Sequence, residues 1–128
     1  MKKEVIICVI ILIFIFVGDI ITQNYSKNSS EEITRDLEGL KVMIDENIEV
    51  NKLEVKADEI ENKWNEKYNK LAYFIEHEEL EKVKTGLVSI KSFVKSEENS
   101  ELMNEVDKTI YLLEHIVEKN KVNLKNIF

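Results

Sequence analysis

Apolar residues in the middle of the chain recur at alternating intervals of three and four, and this spacing constrains the fold more than any other feature. The clearest run consists of Leu80, Val83, Leu87, Ile90 and Val94. Because an α-helix turns once every 3.6 residues, these side chains lie along one helix face, whereas a half-buried strand shows strict alternation. The chain has no proline and only three glycines. We therefore expect an all-α fold.

The same spacing predicts four helices in the part of the chain that follows residue 24. Their expected bounds are residues 30–47 for helix A, 52–76 for helix B, 79–95 for helix C and 100–121 for helix D. Ser29 and Glu32 have the spacing of a capping box, which indicates that helix A begins there. Asn51 with Glu54 offers a second cap at the start of helix B.

The apolar faces of these helices predict the core. Besides the run in helix C, the expected core residues are Ile33, Leu37, Leu40 and Ile44 in helix A, Leu53, Ala57, Ile60, Trp64, Tyr68, Leu71 and Ile75 in helix B, and Leu102, Val106, Ile110, Leu112, Leu113, Ile116 and Val117 in helix D. Short connections make neighbouring helices antiparallel, which predicts a four-helix bundle, or a three-helix bundle without helix A. The final NLKNIF is expected to pack onto an open bundle end, or else to be exposed as a recognition tag.

A continuous apolar run near the N-terminus predicts a membrane anchor. It extends without interruption from Val5 to Val17, and the 17 residues from Val5 to Ile21 span about 25 Å as a helix. This is slightly less than a typical hydrocarbon core of about 30 Å, so Asp19 is expected near the headgroups. The Ala-x-Ala-like pattern of a cleavage site does not follow the run. We expect an uncleaved transmembrane anchor over residues 1–23 and a helical bundle domain over residues 24–128.

Basic residues around the run predict its orientation. Lys2 and Lys3 crowd the N-terminal flank, whereas Lys27 and Arg35 on the other side are dispersed among acids. Under the positive-inside rule the N-terminus lies inside the cell. The sequence predicts a single-pass protein of the plasma membrane with an extracytoplasmic domain; a cytoplasmic domain is the alternative.

Charge and cysteine content exclude several classes of protein. The formal net charge is −7, from 18 basic and 25 acidic residues. An acidic domain is repelled by nucleic acid, so no nucleic-acid partner is expected. Cys8 is the only cysteine. No disulfide within the chain and no zinc cluster built on cysteines can form.

Two similar stretches, YFIEH at 73–77 and YLLEH at 111–115, raise the question of a site. On helices, Tyr73 and His77 would share one face, as would Tyr111 and His115. We interpret the stretches as similar helix faces, from a common repeat or by chance. Imidazole and carboxylate groups can also bind a metal or respond to pH. The candidates for such a site at one end of the bundle are His77, His115, Glu76, Glu78, Glu114 and Glu118. Ordinary surface roles are the expectation.

Motifs of catalysis are missing from the sequence. It has no glycine-rich phosphate loop, no GxSxG and no HExxH, and its acids alternate with lysines as on a solvated helix face. We assign no catalytic, cofactor-binding or metal-binding residue and expect no enzyme, no cofactor and no small-molecule substrate. The expected function is a non-enzymatic, membrane-anchored module for protein–protein interaction or self-association at the bacterial cell envelope. The alternative is a cation- or pH-responsive binding domain that uses the histidines and glutamates.

Nearly the whole chain resembles one known family. Lys2 and Lys3 before a single apolar span, then Trp64, Tyr68 and the EHEEL at 76–80, are similar to an uncharacterised family of short single-pass proteins of spore-forming Gram-positive bacteria, domain of unknown function 4363. The resemblance implies an anchored helical domain of this size. It implies no activity and no functional residues.

Overall fold

Four α-helices make up the protein in a computed structural model that describes the backbone of residues 2–127 and the side chains of residues 2–119. They are α1 (Lys2–Asp45), α2 (Val50–Leu71), α3 (His77–Lys95) and α4 (Asn99–Ile127). Within the described residues, α1 contacts α2, α2 contacts α3, α3 contacts α4, and α4 contacts α1, with no contacts across the diagonals. The architecture is an antiparallel four-helix bundle, which confirms the all-α prediction and places helix A in the bundle as the second half of α1.

The predicted core is confirmed for the first three helices. Every residue predicted for helices A and C is buried, and so are those of helix B except the half-buried Tyr68. In α4 the buried face is slightly rotated from the prediction. Thr109 is fully buried, while Leu112 and Val117 are only half-buried. The hydroxyl of Thr109 is accommodated because it donates to the backbone carbonyl of Glu105 at 2.8 Å. The predicted packing of NLKNIF falls on side chains outside the described residues.

The predicted start of a helix at Ser29 is wrong, because α1 runs without interruption from Lys2 to Asp45. No proline or glycine lies between Gly18 and Gly39 to break it. Ser26, Ser29 and Ser30 are buried. Ser26 and Ser30 continue the spacing of the core face back from Ile33, so the bundle holds this segment as helix. The backbone N–H groups near Ser29 have partners in the preceding turn and need no cap.

The predicted bounds of helix B are also wrong at both ends. The helix begins at Val50, after Glu49, whose side chain makes no cap hydrogen bond, rather than after Asn51. It ends at Leu71 instead of residue 76, and residues 72–76 form the turn into α3. This turn is needed because both Ile75 and Leu80 are buried, and the chain must reverse its direction between Leu71 and Leu80. The stretch YFIEH therefore lies across a turn, whereas YLLEH lies within α4.

The other two turns are built alike. Asn47 and Glu97 follow the ends of α1 and α3 with φ angles of 55° and 56°, the left-handed conformation that terminates helices. After α3, the N–H of Glu98 donates to the carbonyl of Phe93 and that of Glu97 to Val94, at 3.2 Å each. The pattern is a Schellman motif. It satisfies the last carbonyls of the helix and directs the chain back along the bundle.

Candidate functional site

The N-terminal half of α1 is apolar and projects from the bundle. From Val5 to Val17 every apolar side chain is exposed, Phe14 most of all at 73%. In the described part of the chain α1 is the one helix long and apolar enough to cross a membrane, with a mean hydropathy of 3.1 in its most apolar window. A contiguous apolar surface of this extent is typical of a site of membrane or protein contact. It is the main candidate functional surface among the side chains that the structure describes.

Aromatic residues lie where α1 enters the bundle. Tyr25 is four residues past Ile21, about 6 Å further along the helix. Its ring meets that of Phe74 edge to face, with centroids 6.1 Å apart. The Lys70 ammonium group lies 5.8 Å from the centroid of the Tyr25 ring, within the range of a cation–π contact. These contacts place the α2–α3 turn beside the end of the apolar run.

The α2–α3 turn exposes one large side chain. Tyr73 is 87% exposed, the highest exposure among the large hydrophobic residues of the described chain. The turn itself is ordered by backbone hydrogen bonds, from Phe74 and Ile75 to the carbonyl of Leu71 and from Tyr73 to that of Lys70. Ile75 is buried behind it. Tyr73 is therefore held outward by a defined turn.

A polar cluster joins α2 to α3 next to this turn. The Tyr68 hydroxyl donates to Glu81 Oε1 at 2.7 Å and lies 2.7 Å from His77 Nδ1. Since the hydroxyl gives its only proton to the carboxylate, it accepts a hydrogen bond from the imidazole. Burial between the helices, the hydrogen bond to Glu81 and the charge of that carboxylate raise the pKa of Tyr68 to about 12.

The two histidines have separate contacts. His115 stacks on Tyr111 with centroids 6.3 Å apart, as the shared helix face predicts. His77 does not pair with Tyr73, because it begins α3 and contacts Tyr68 and Glu81 instead. Among the side chains that the structure describes, no three His, Cys, Asp or Glu residues form a group able to hold a metal ion. Helical periodicity does not predict the cluster around Tyr68, because Tyr68 and His77 come together only across the turn.

Of the predicted glutamate candidates, Glu76 is paired with a lysine. The Lys119 Nζ atom lies 3.3 Å from Glu76 and 3.5 Å from Glu79. Glu114 and Glu118 line a shallow groove of about 460 Å³ between α1 and α4, opposite Lys27 and Arg35. With both signs of charge on its walls, the groove favours neither an anion nor a cation.

Ion pairs between neighbouring helices fix their register. Lys67 pairs with Glu32 at 2.7 Å, Lys41 with Asp107 at 2.7 Å and Lys91 with Asp58 at 2.8 Å. Such pairs contribute little stability at a surface, but they specify which residues lie at the same height. The first pair places the start of the bundle part of α1 beside the end of α2, in agreement with the contact between Tyr25 and Phe74.

Comparison with known proteins identifies one family. The family model described as Domain of unknown function (DUF4363) matches residues 20–127. No curated protein and no solved structure matches the chain. The matched region begins within α1, leaves out the apolar run from Val5 to Val17, and includes the bundle part of α1 with α2, α3 and α4.

Proposed function

Since the chain belongs to the DUF4363 family, which carries no assigned activity, we propose from its geometry that it is a single-pass, membrane-anchored helical module that acts by contact with another protein or with a second copy of itself. One observation carries the proposal: α1 is a single helix whose first half is apolar and exposed and whose second half supplies a quarter of the bundle. A membrane span and a folded domain are thus joined without a flexible linker.

The apolar half of α1 supports the lipid bilayer as the first partner. Its side chains find no cover in the bundle, and a hydrocarbon core would bury them all. The run is about 5 Å shorter than a typical hydrocarbon core, a mismatch that a bilayer accommodates at modest cost. The start of α1, with Lys2 and Lys3, would then lie at one surface and the bundle at the other.

The polar groups of the bundle support a role in contact with another protein rather than in catalysis. Most of the charged contacts are pairs between neighbouring helices that hold the bundle together, such as Asp36 with Lys63 and Asp107 with Lys41. Besides Tyr73 in the α2–α3 turn, the described bundle exposes one large apolar residue on each helix: Val42, Val55, Val88 and Tyr111. Single exposed apolar residues are ordinary on a protein surface, so these four are positions at which a protein contact can be probed. We propose a non-enzymatic module at the bacterial cell envelope, with its domain on the extracytoplasmic side.

Paired substitutions test the anchor. Leu12→Arg with Ile13→Arg places two charges at the middle of the run, each costing about 2.5–3.5 kcal/mol of insertion free energy. Val42→Arg with Val55→Arg is the matched control, because these valines are similarly exposed but lie on the bundle. We expect the first variant to leave the membrane fraction and the second to stay. Equal retention of both variants would refute the anchor.

A spin-label distance tests the continuous helix in the membrane. In a Cys8→Ala background, labels at Ile13→Cys and Glu38→Cys are 25 residues apart on α1, about 38 Å along a straight helix. A narrow distribution near this value is expected in bilayers. A broad or short one would show a hinge and contradict the fixed attachment.

Orientation and partners need two further measurements. A membrane-impermeant maleimide should label Ser96→Cys in intact cells if the domain is extracytoplasmic, and only in broken cells if it is cytoplasmic.

A photo-crosslinking amino acid at Tyr111, Val88 or Val42 should give one reproducible adduct, either with a partner or with the protein itself. The same amino acid at the buried Leu87 is the control. No adduct from any exposed position would count against a contact role.

A pH-responsive role of the cluster of Tyr68, His77 and Glu81 is the second candidate. His77 Nε2 lies 3.5 Å from Glu81, so a protonated imidazole would add an ion pair there. His77→Gln keeps a hydrogen-bonding side chain but cannot be protonated. If melting temperatures of wild type and variant differ at pH 5 but not at pH 8, this role gains support; parallel profiles would exclude it.

A further inference from the structure

We propose that the end of the bundle nearest the apolar run docks on the bilayer through Tyr25, Tyr73 and Phe74, here called the aromatic end, with the headgroup layer as its partner. This inference rests on the proposed membrane anchor. It goes further, because anchoring by α1 does not by itself require the α2–α3 turn to contact lipid. The residues of the aromatic end come from α1 and from the α2–α3 turn, which are brought together only by the fold.

Distance along α1 provides the first argument. Tyr25 lies about 6 Å past Ile21, and the headgroup layer on each side of a bilayer is about 5–7 Å thick. Because the apolar run is shorter than the hydrocarbon core, residues that follow it are drawn toward the lipid. A spanning α1 therefore places Tyr25 in the headgroup layer. Phe74, whose ring contacts that of Tyr25, lies at the same level.

The exposure of Tyr73 provides the second argument. Its side chain is 87% exposed although the turn around it is hydrogen-bonded and Ile75 behind it is buried. The fold thus holds a tyrosine outward at the level of the lipid surface. Tyrosine is enriched at membrane–water interfaces, because its ring is apolar and its hydroxyl is polar.

The charges around the aromatic end fit a headgroup layer rather than a strongly anionic or cationic partner. Lys70 lies over the Tyr25 ring, and Lys119 offsets Glu76 at the end of the turn. His77 and Glu78 are exposed beside them. With both signs present, aromatic side chains provide the recognition. The aromatic end is also continuous with the apolar run, because Tyr25 and the run both lie on α1.

Depth measurements on the full chain in phosphatidylcholine and phosphatidylglycerol nanodiscs test the docking. In the Cys8→Ala background, a spin label at Ala72→Cys reports on the turn and leaves the aromatic end intact. A label at Ser96→Cys reports on the opposite end, about 28 Å away along α3. Relative accessibility to oxygen and to a nickel chelate should place label 72 in the headgroup layer and label 96 in water. Equal, water-like accessibility at both sites would overturn the proposal.

A substitution then tests the role of the tyrosine. Tyr73→Ser should move label 72 outward by about 5 Å, the thickness of the headgroup layer. Tyr111→Ser is the matched control, because Tyr111 is also an exposed tyrosine but lies on α4. An unchanged depth after Tyr73→Ser would refute the aromatic end as the docking group.

A third label separates this proposal from the anchor on which it rests. At Ile13→Cys the label should lie deep in the hydrocarbon. If it does while label 72 remains in water, the anchor holds and the docking fails. If label 13 is itself exposed to water, both proposals fail.

Discussion

Gly86 of α3 lies so close to Thr109 of α4 that a methyl group at residue 86 would overlap the Thr109 hydroxyl. The contact is the closest approach to a neighbouring helix made by any of the three glycines, since nothing lies within 4 Å of an added Cβ at Gly18 or Gly39. Thr109 is fully buried, so it cannot move into solvent to make room. The lack of a side chain at Gly86 on α3 thus leaves room for the buried hydroxyl of Thr109 on α4.

This contact predicts opposite effects of the same substitution at two glycines. Gly86→Ala should lower the free energy of unfolding by about 1–3 kcal/mol, because it overpacks the α3–α4 contact. Gly39→Ala should raise it by about 0.5–1 kcal/mol through helix propensity. Chemical denaturation of the full chain in detergent measures both. Adding Thr109→Ala should recover part of the loss at residue 86; if it does not, the overlap is not the cause.

Trp64 predicts a second pair of effects. It is fully buried, and Trp64→Ala should cost about 3–5 kcal/mol through lost burial and the cavity left behind. Its Nε1 atom is buried with no hydrogen-bond partner among the described residues. Trp64→Phe removes that unpaired N–H and should cost less than half as much. Thermal melting compares them, with the exposed Val55→Ala as control. A wild-type melt for Trp64→Ala would mean that the core lies elsewhere.

The two left-handed turn residues predict unequal gains. Glu97→Gly should stabilise the protein by about 0.5–1 kcal/mol, because glycine adopts the left-handed conformation at residue 97 without the steric strain that glutamate has there. Asn47→Gly should change stability less, since asparagine tolerates this conformation better. Denaturant midpoints of the two variants measure the difference. A gain at Asn47 that equals or exceeds the gain at Glu97 would contradict this explanation.

The raised pKa of Tyr68 predicts a loss of stability in alkali. Its folded-state pKa of about 12 lies above the ordinary value of 10.0, so folding favours the neutral phenol. The resulting stabilisation is complete below pH 10 and is lost as the pH rises through 12. The stability difference between wild type and Tyr68→Phe should therefore shrink over this window. The difference in phenolate absorbance between the two should show one transition near pH 12.

Tyr111→Phe is the control for the alkaline titration. It removes an exposed tyrosine of α4 that stacks on His115, and should leave the shrinking difference at Tyr68 in place. A constant difference between wild type and Tyr68→Phe from pH 9 to pH 12 would show that the phenol is not held neutral.

Periodicity predicted the core well where apolar residues alone form it. The faces of helices A and C are buried as expected because they hold only apolar side chains at helical spacing. The expectation was wrong where polar residues belong to the core. Ser26 and Ser30 continue the face of α1, and Thr109 that of α4, but a pattern of apolar residues cannot count them. For this reason the sequence pattern predicts a cap at Ser29, which lies inside what is one helix.

The candidate surfaces were partly predictable. The apolar run can be read directly from the sequence, and it is exposed because the apolar faces of α2, α3 and α4 are buried against one another and against the second half of α1. The contacts of Tyr68 with His77 and of Tyr25 with Phe74 did not follow. Both cross the α2–α3 turn or join helices far apart in sequence, and the helix predicted through residue 76 placed Tyr73 and His77 on one face instead.

The sequence by itself determined the helical class, the apolar segment and most of the core, because helical periodicity and hydrophobicity are local properties that each segment carries on its own. The tertiary structure decided that α1 is continuous, that Gly86 meets Thr109, and that Tyr73 is exposed beside Tyr25. These relationships depend on how the chain reverses and on the register in which neighbouring helices pack, and both are set by the burial of all four faces together rather than by any one of them.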